Sequence, residues 1–285
     1  MNYGRTSLRR RAKQLDARGT RIRHKIGVIL GKLLLIGIIV GGCATVSFGV
    51  GAFKGILASA PDISEVDVIP TGYSTKVLAA DGSETAKLVA AGSNRQYVTI
   101  DQIPENLQHA VVAIEDERFY DHNGIDLKGI VRALVADVRT RDFSQGASTL
   151  TQQLIKNNVL SEQWANENDS NISKMEKMER QVQRKIQEQY LAIELEKKVN
   201  DKNWILENYL NSINLGSNTL GVQAAAQRYF GKDVSKLTLS ECAVIAGITK
   251  NPAGYNPILH PKENAKRRKN VLDAMKNRDI FRRTV

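Results

Sequence analysis

Gly146-Ala-Ser-Thr-Leu-Thr-Gln-Gln-Leu-Ile-Lys-Asn157 is the stretch on which the reading of this chain turns. Ser148 is placed to cap a helix that starts just after it, leaving the helix's first N–H groups and its positive dipole end facing the Gly146 loop. That arrangement suits a phosphate or diphosphate. Leu150 and Leu154 form the inward face, while Gln152 and Lys156 share the other face, with Thr149, Gln153 and Asn157 beside them. A capped amphipathic helix needs only the apolar pair. The run of directional polar groups points further, to an anionic, sugar-like ligand.

Working outward, Glu115-Asp116-Glu117 follows the apolar run Ala110-Val-Val-Ala-Ile114. A carboxylate at the tip of an apolar helix is partly desolvated, which raises its proton affinity and suits a general base. Solvated acids pairing with Arg118 are the plainer alternative, and His122 is placed to orient Glu115 or a neighbouring carboxylate. Downstream, Arg180, Arg184 and Glu188 recur every fourth residue, with Lys185 alongside. They form one column on a helix whose buried face is expected at Val182, Ile186 and Ile193. Such a column is either a surface ion-pair ladder of little energetic weight or a carboxylate held among cations that bind a diphosphate.

The net charge of +11 is concentrated in the first 25 residues, which carry nine basic side chains against the single acid Asp16. The remainder is nearly neutral, so no nucleic-acid partner is expected. Leu33–Phe53 contains no charged residue. At about 1.5 Å per residue its 21 positions span the roughly 30 Å core of a bilayer. Basic residues before the span place the N-terminus in the cytoplasm and everything after Lys54 outside. An uncleaved anchor is favoured over a secretory signal, whose apolar region runs only about 7–15 residues. Cys43 in the span and Cys242 in an Ala-rich segment are not expected to pair, and the four histidines show no metal-ligand spacing.

The expected organisation is a basic cytoplasmic tail (1–25), a transmembrane anchor (26–53), a linker with a β-hairpin (54–100) and a mainly α domain (101–285). Tyr73–Ala80 and Ser83–Ala91 read as strands around the Asp81-Gly82 turn, with Val98 and Ile100 as candidates for a third. Helices are expected at Pro104–Ile114, Asp126–Arg139, Arg180–Asn200, Lys202–Asn211, Leu220–Phe230, Leu239–Ile248 and Asn264–Met275, and a mobile loop at 161–179. The Asp126–Arg139 helix carries an apolar stripe (Leu127, Ile130, Val131, Leu134, Val135, Val138). It packs on the core or lies in a membrane interface with Lys128, Arg132 and Arg139 at lipid head groups; core packing is the first expectation for most of it.

Five patterns occur in order: Glu-Asp-x-x-Phe-x-x-His-x-Gly (115–124), Gly-x-Ser-Thr-x-Thr-Gln-Gln-x-x-Lys-Asn (146–157), Arg-Lys-x-x-Glu (184–188), Lys-x-x-Ile-Leu-Glu-x-Tyr-Leu-Asn (202–211) and Arg-x-x-x-Val-Leu (267–272). In this the chain resembles the peptidoglycan glycosyltransferase (family 51) domain of class A penicillin-binding proteins and monofunctional transglycosylases, from Ser74 to Met275. The resemblance implies a lysozyme-like helical domain that polymerises lipid II into β-1,4-linked glycan with inversion, releasing undecaprenyl diphosphate. It makes Glu115 the base acting on the acceptor 4-hydroxyl. Glu188 becomes a second acid, supporting the diphosphate directly or through a divalent cation, Mg or Mn. Lys156 and Arg180 become diphosphate-binding cations, with Arg184 and Lys185 among the substrate-binding residues. Asp116, Phe119, His122, Gly146, Ser148, Thr149, Gln152, Gln153 and Asn157 complete the substrate site.

The implied partners are lipid II, the growing lipid-linked glycan, the bacterial membrane and other cell-wall synthesis proteins. Two departures qualify the resemblance. The stretch between Lys156 and Arg184 is longer than in compact members, which weakens the assignment of Arg180. No Ser-x-x-Lys transpeptidase signature follows the fifth pattern, so the chain reads as a monofunctional enzyme or part of a bifunctional one, the hairpin leaning toward the second. A membrane-anchored muramidase and an inactive scaffold fragment are the rival readings.

Overall fold

The computed structural model describes residues 4–15, 18–64, 68–70, 72–88, 94–140, 146–161, 163–164 and 172–277. The chain divides into two units, Met1–Ser59 and Ala60–Val285. The first holds α1 (Arg5–Leu15) and α2 (Arg18–Ala58). Within α2, Ile22–Ala58 is long and apolar enough to cross a membrane. It is longer than the charge-free stretch because the helix continues through Lys32 and Lys54 on either side.

The second unit opens with the hairpin β1 (Thr75–Leu78) and β2 (Glu84–Leu88). The strands are antiparallel, pairing Thr75 with Leu88 and Val77 with Ala86. The Asp81-Gly82 turn forms as read: Gly82 takes φ +83°, and Asp81 Oδ1 accepts from the Ser83 N–H at 2.9 Å. The strands are shorter than expected, and 89–91 lie outside the described residues. The third strand does not form. The Asn211 side-chain amide accepts from the Val98 N–H at 3.0 Å and donates to the Val98 carbonyl at 2.9 Å, supplying both bonds that a neighbouring strand would have made. Ile100 instead begins a 3-10 turn, Ile100–Gln102.

Among the described residues eight helices follow: α3 (Glu105–Glu115), α4 (Leu127–Thr140), α5 (Leu150–Asn158), α6 (Lys174–Val199), α7 (Lys202–Ser212), α8 (Val222–Phe230), α9 (Leu239–Ile248) and α10 (Pro261–Asn277). The mainly α expectation holds. α3 is apolar all round only over Ala110–Ile114; α9 and α10 both pack on the helix, and Leu107, Ala110, Val111 and Ala113 are fully buried. α5 packs against α6 and α7. Burial of each large aliphatic side chain contributes about 1.5–3 kcal/mol, so these helices are held by tertiary contact more than by propensity. α9 is closed at its start by a capping box between Thr238 and Glu241. Cys242 within it is buried and unpaired, its thiol pushed up to about 12 by desolvation; Cys43 is also free.

Three expectations are corrected. α6 starts at Lys174, capped by Ser173, so the expected 161–179 loop ends earlier; 162 and 165–171 lie outside the described residues. The buried face of α6 is Gln187, Glu188, Leu191, Ala192, Leu195 and Glu196, whereas Val182 is 52% exposed. Along α4, Leu127, Val131 and Val135 are exposed while Ala133 is buried, so most of the described stripe does not pack on the core. The side chains of Leu134, Val138 and Arg139 lie outside the description.

Gly124 joins the first motif to α6. It takes φ +88°, and a Cβ there would stand 2.7 Å from the Ala192 backbone. Its carbonyl accepts from Thr149 Oγ1 at 2.8 Å and from Gln152 Nε2 at 3.2 Å. Gly124→Ala is therefore expected to destabilise the domain by about 2–4 kcal/mol, combining left-handed strain with a backbone clash. Urea unfolding followed by circular dichroism checks this; an unchanged midpoint would refute the close approach.

Candidate active site

A cavity of about 950 Å³ opens between α5, the C-terminal ends of α3 and α9, and the middles of α6 and α10, lined by Ile114, Glu115, Gly146, Ser148, Gln153, Lys156, Arg184, Lys185, Glu188, Thr249, Lys250 and Arg267. Two carboxylates thus face five cations. Such a lining attracts a multiply charged anion and leaves a single region where a proton could be taken up.

Glu115 is the last residue of α3 and reaches the cavity because that helix stops there. Gln153 Nε2 donates to its Oε2 at 3.2 Å. Thr249 Oγ1 stands 2.7 Å from Oε1 and 2.8 Å from the Ala246 carbonyl; the single proton goes to the carboxylate, the stronger acceptor. Arg267 Nη2 lies 3.8 Å from the same Oε1. The arrangement holds the carboxylate in place while leaving lone pairs for a hydroxyl in the cavity.

Glu188 is only 2% exposed. Its Oε1 accepts from Arg184, and Lys185 Nζ reaches its Oε2 at 3.0 Å. The same ammonium donates to Ser148 Oγ at 2.6 Å and to Gln152 Oε1 at 3.0 Å, which uses all three of its protons. Lys185 is thereby a tie between α5 and α6. Lys156, by contrast, is exposed in the last turn of α5 and has no ion-pair partner among the described residues.

The helix cap differs from expectation. Thr149, not Ser148, is the N-cap of α5, its Oγ1 accepting from the Gln152 N–H at 3.2 Å. Asp116 Oδ2 accepts from the Leu150 N–H at 2.9 Å. The protein's own carboxylate thus sits at the dipole end assigned to a bound phosphate, because a buried helix start must be satisfied internally. Ser148 is left free to meet Lys185.

Asp116 also pairs with His122 Nε2 at 2.9 Å, so the histidine orients Asp116 and not Glu115. Asp116, His122 and the fully buried Phe119 lie outside the cavity lining, as do Thr149 and Gln152. Arg180 pairs with Glu176 at 2.8 Å and lies outside it too. Asn157 lines a neighbouring cavity of about 450 Å³ that shares Lys156 and Arg184. Thr249, Lys250 and Arg267 were given no role from sequence. Thr249-Lys250 follows the apolar α9 much as Glu115 ends α3, which is the signal that could have found those two; Arg267 opens the fifth sequence pattern.

The residues present do not fit a divalent cation held by protein alone. Both oxygens of Glu188 are engaged by cations, and no group of three His, Cys, Asp or Glu side chains among the described residues is placed to hold a metal.

A sequence-family model described as Transglycosylase matches residues 81–276, more than half of the chain and all of the cavity. This chain belongs to the transglycosylase family. Penicillin-binding protein 1A/1B of Bacillus subtilis is 37% identical over 250 residues, covering 87% of this chain and 24% of that protein. Penicillin-binding protein 1A of Aquifex aeolicus is 46% identical over 181 residues, covering 64% of this chain and 23% of that protein. This transglycosylase family member therefore spans about a quarter of the length of those relatives. The crystal structure of penicillin-binding protein 1A from Haemophilus influenzae aligns with 73% of this chain and 18% of its own, at 25% identity and a TM-score of 0.36.

Proposed function

We propose that the chain is a peptidoglycan glycosyltransferase that polymerises lipid II. Glu115 takes the proton from the acceptor GlcNAc 4-hydroxyl as that oxygen attacks the donor MurNAc anomeric carbon. The bond to the diphosphate breaks on the opposite face, giving a β-1,4 linkage with inversion and free undecaprenyl diphosphate. A diphosphate leaving group carries away its electron pair without being protonated, so neutralisation matters more than acid catalysis. Lys156 and Arg184 supply that charge directly, and Glu188 holds Arg184 and Lys185 in register for it.

The observation that carries this reading is the shared cavity: Glu115 and the cations Lys156, Arg184 and Lys185 line one space. A muramidase cleaving finished polymer has no diphosphate to meet those cations. Two features support a lipid-linked substrate at a membrane surface. One is the apolar helix Ile22–Ala58, and the other is the exposed Leu127, Val131 and Val135 on α4, near Lys128 and Arg132. In this reading the N-terminal tail is cytoplasmic, the cavity lies outside the membrane, and wall-building proteins and the growing glycan are the partners.

Incubating the purified chain with lipid II, with finished glycan and with lipid II plus chelator tests the proposal. Polymer from lipid II and no release from glycan is the expected result. Chelator should leave the rate within a few-fold of normal; complete loss would put a cation between Glu188 and the diphosphate. Degradation of glycan would establish the muramidase, and a folded but inert protein the scaffold.

A further inference from the structure

We infer that Tyr209 is a positioning residue for Glu115, acting through the side-chain amide of Gln153. The inference rests on Glu115 serving as the base. Tyr209 lies on α7, is fully buried and does not line the cavity. Its hydroxyl donates to Gln153 Oε1 at 3.1 Å, and Gln153 Nε2 donates to Glu115 Oε2 at 3.2 Å. Three helices are thus linked in a line: α7 to α5 to α3.

The chemistry depends on direction. A carboxamide can present either its oxygen or its NH₂ to a neighbour, and only the NH₂ is attractive to a carboxylate. Glu115 favours the orientation in which Nε2 faces it, and a hydroxyl proton donated to Oε1 locks the amide in that orientation. Burial, with Glu115 and Asp116 nearby, holds the Tyr209 phenol well above its ordinary ionisation range, so that proton is retained. From the opposite side Thr249 and Arg267 face Oε1. The carboxylate is therefore gripped at both oxygens, and the grip at Oε2 is set by a residue that substrate never touches. Without the hydroxyl, Gln153 Oε1 loses its buried donor and the amide is held from the Glu115 side alone, so the donor to Oε2 is less firmly placed.

The test is steady-state polymerisation of lipid II by the full chain carrying Tyr209→Phe, Gln153→Leu, or both. Each single variant is expected to lower kcat by about 10- to 100-fold with KM little changed, as for a misplaced catalytic group. The double variant should be no slower than Gln153→Leu alone, because both changes cut one relay. Independent, additive losses would show that Tyr209 acts through packing and would overturn the inference, as would a Tyr209→Phe enzyme of normal kcat. Should Tyr209→Phe fail to fold, an unchanged kcat in Gln153→Leu overturns it equally. A wild-type chain inert toward lipid II would sink the glycosyltransferase reading itself, and the relay with it. An active wild type with unaffected variants sinks the relay alone.

Discussion

Glu115→Gln is expected to lower lipid II polymerisation by about 10²–10⁴-fold while the domain stays folded, the span that general-base catalysis usually supplies. The substitution keeps the shape of the side chain, and the amide oxygen can still accept from Gln153 or Thr249. What disappears is the only carboxylate in the cavity not already committed to a cation at hydrogen-bond distance, since Glu188 is held by Arg184 and Lys185. Single-turnover rates with defined lipid II, beside thermal melts of both proteins, would check this. A variant within a few-fold of wild type would show that Glu115 is not the proton acceptor.

Lys156→Ala is the second large effect expected, a loss of about 10²–10³-fold with stability within about 0.5 kcal/mol of wild type. Lys156 sits on the exposed side of the last turn of α5, where alanine is a good helix former. Removing it breaks no ion pair among the described residues, so the loss falls on the bound diphosphate. Lys185 makes the informative contrast: it ties Ser148 and Gln152 to Glu188, and Lys185→Ala should cost stability as well as rate. Rates at varied lipid II with urea denaturation of each variant separate the two. Equal destabilisation by both changes would contradict the proposed division of labour.

Much of the architecture was legible along the chain. The apolar periodicity of Leu107, Ala110, Val111 and Ile114 marked α3 within one residue of Glu105–Glu115. The Ala-rich run Leu239–Ile248 proved to be α9 with the same limits. Glu115 was marked by its place after an apolar run, Lys156 by the polar face of its helix, and Arg184, Lys185 and Glu188 by the four-residue column and the ordered motifs; all five line one cavity. The direction of α6 was not legible. Its sequence offers Val182 and Ile186 as an inner face, yet the helix buries Gln187, Glu188 and Glu196. Those polar groups can go inside because Trp164 meets Gln187, Arg184 and Lys185 meet Glu188, and Thr151 and Lys202 meet Glu196. The nearby cations were legible along the helix, but Trp164 and Thr151, 23 and 45 residues from the groups they meet, leave no local trace.

The amino-acid order on its own determined the apolar N-terminal span, the helix periodicities and the placing of acids and bases at helix ends, because each follows from interactions within a few residues. Only the tertiary structure decided which of those groups share a cavity. It gave the start of α5 to Asp116 instead of a ligand, turned Glu188 inward, and brought Thr249 and Arg267 to Glu115. Buried polar groups must find partners wherever the packed helices present them, and that requirement is settled in space, not along the chain.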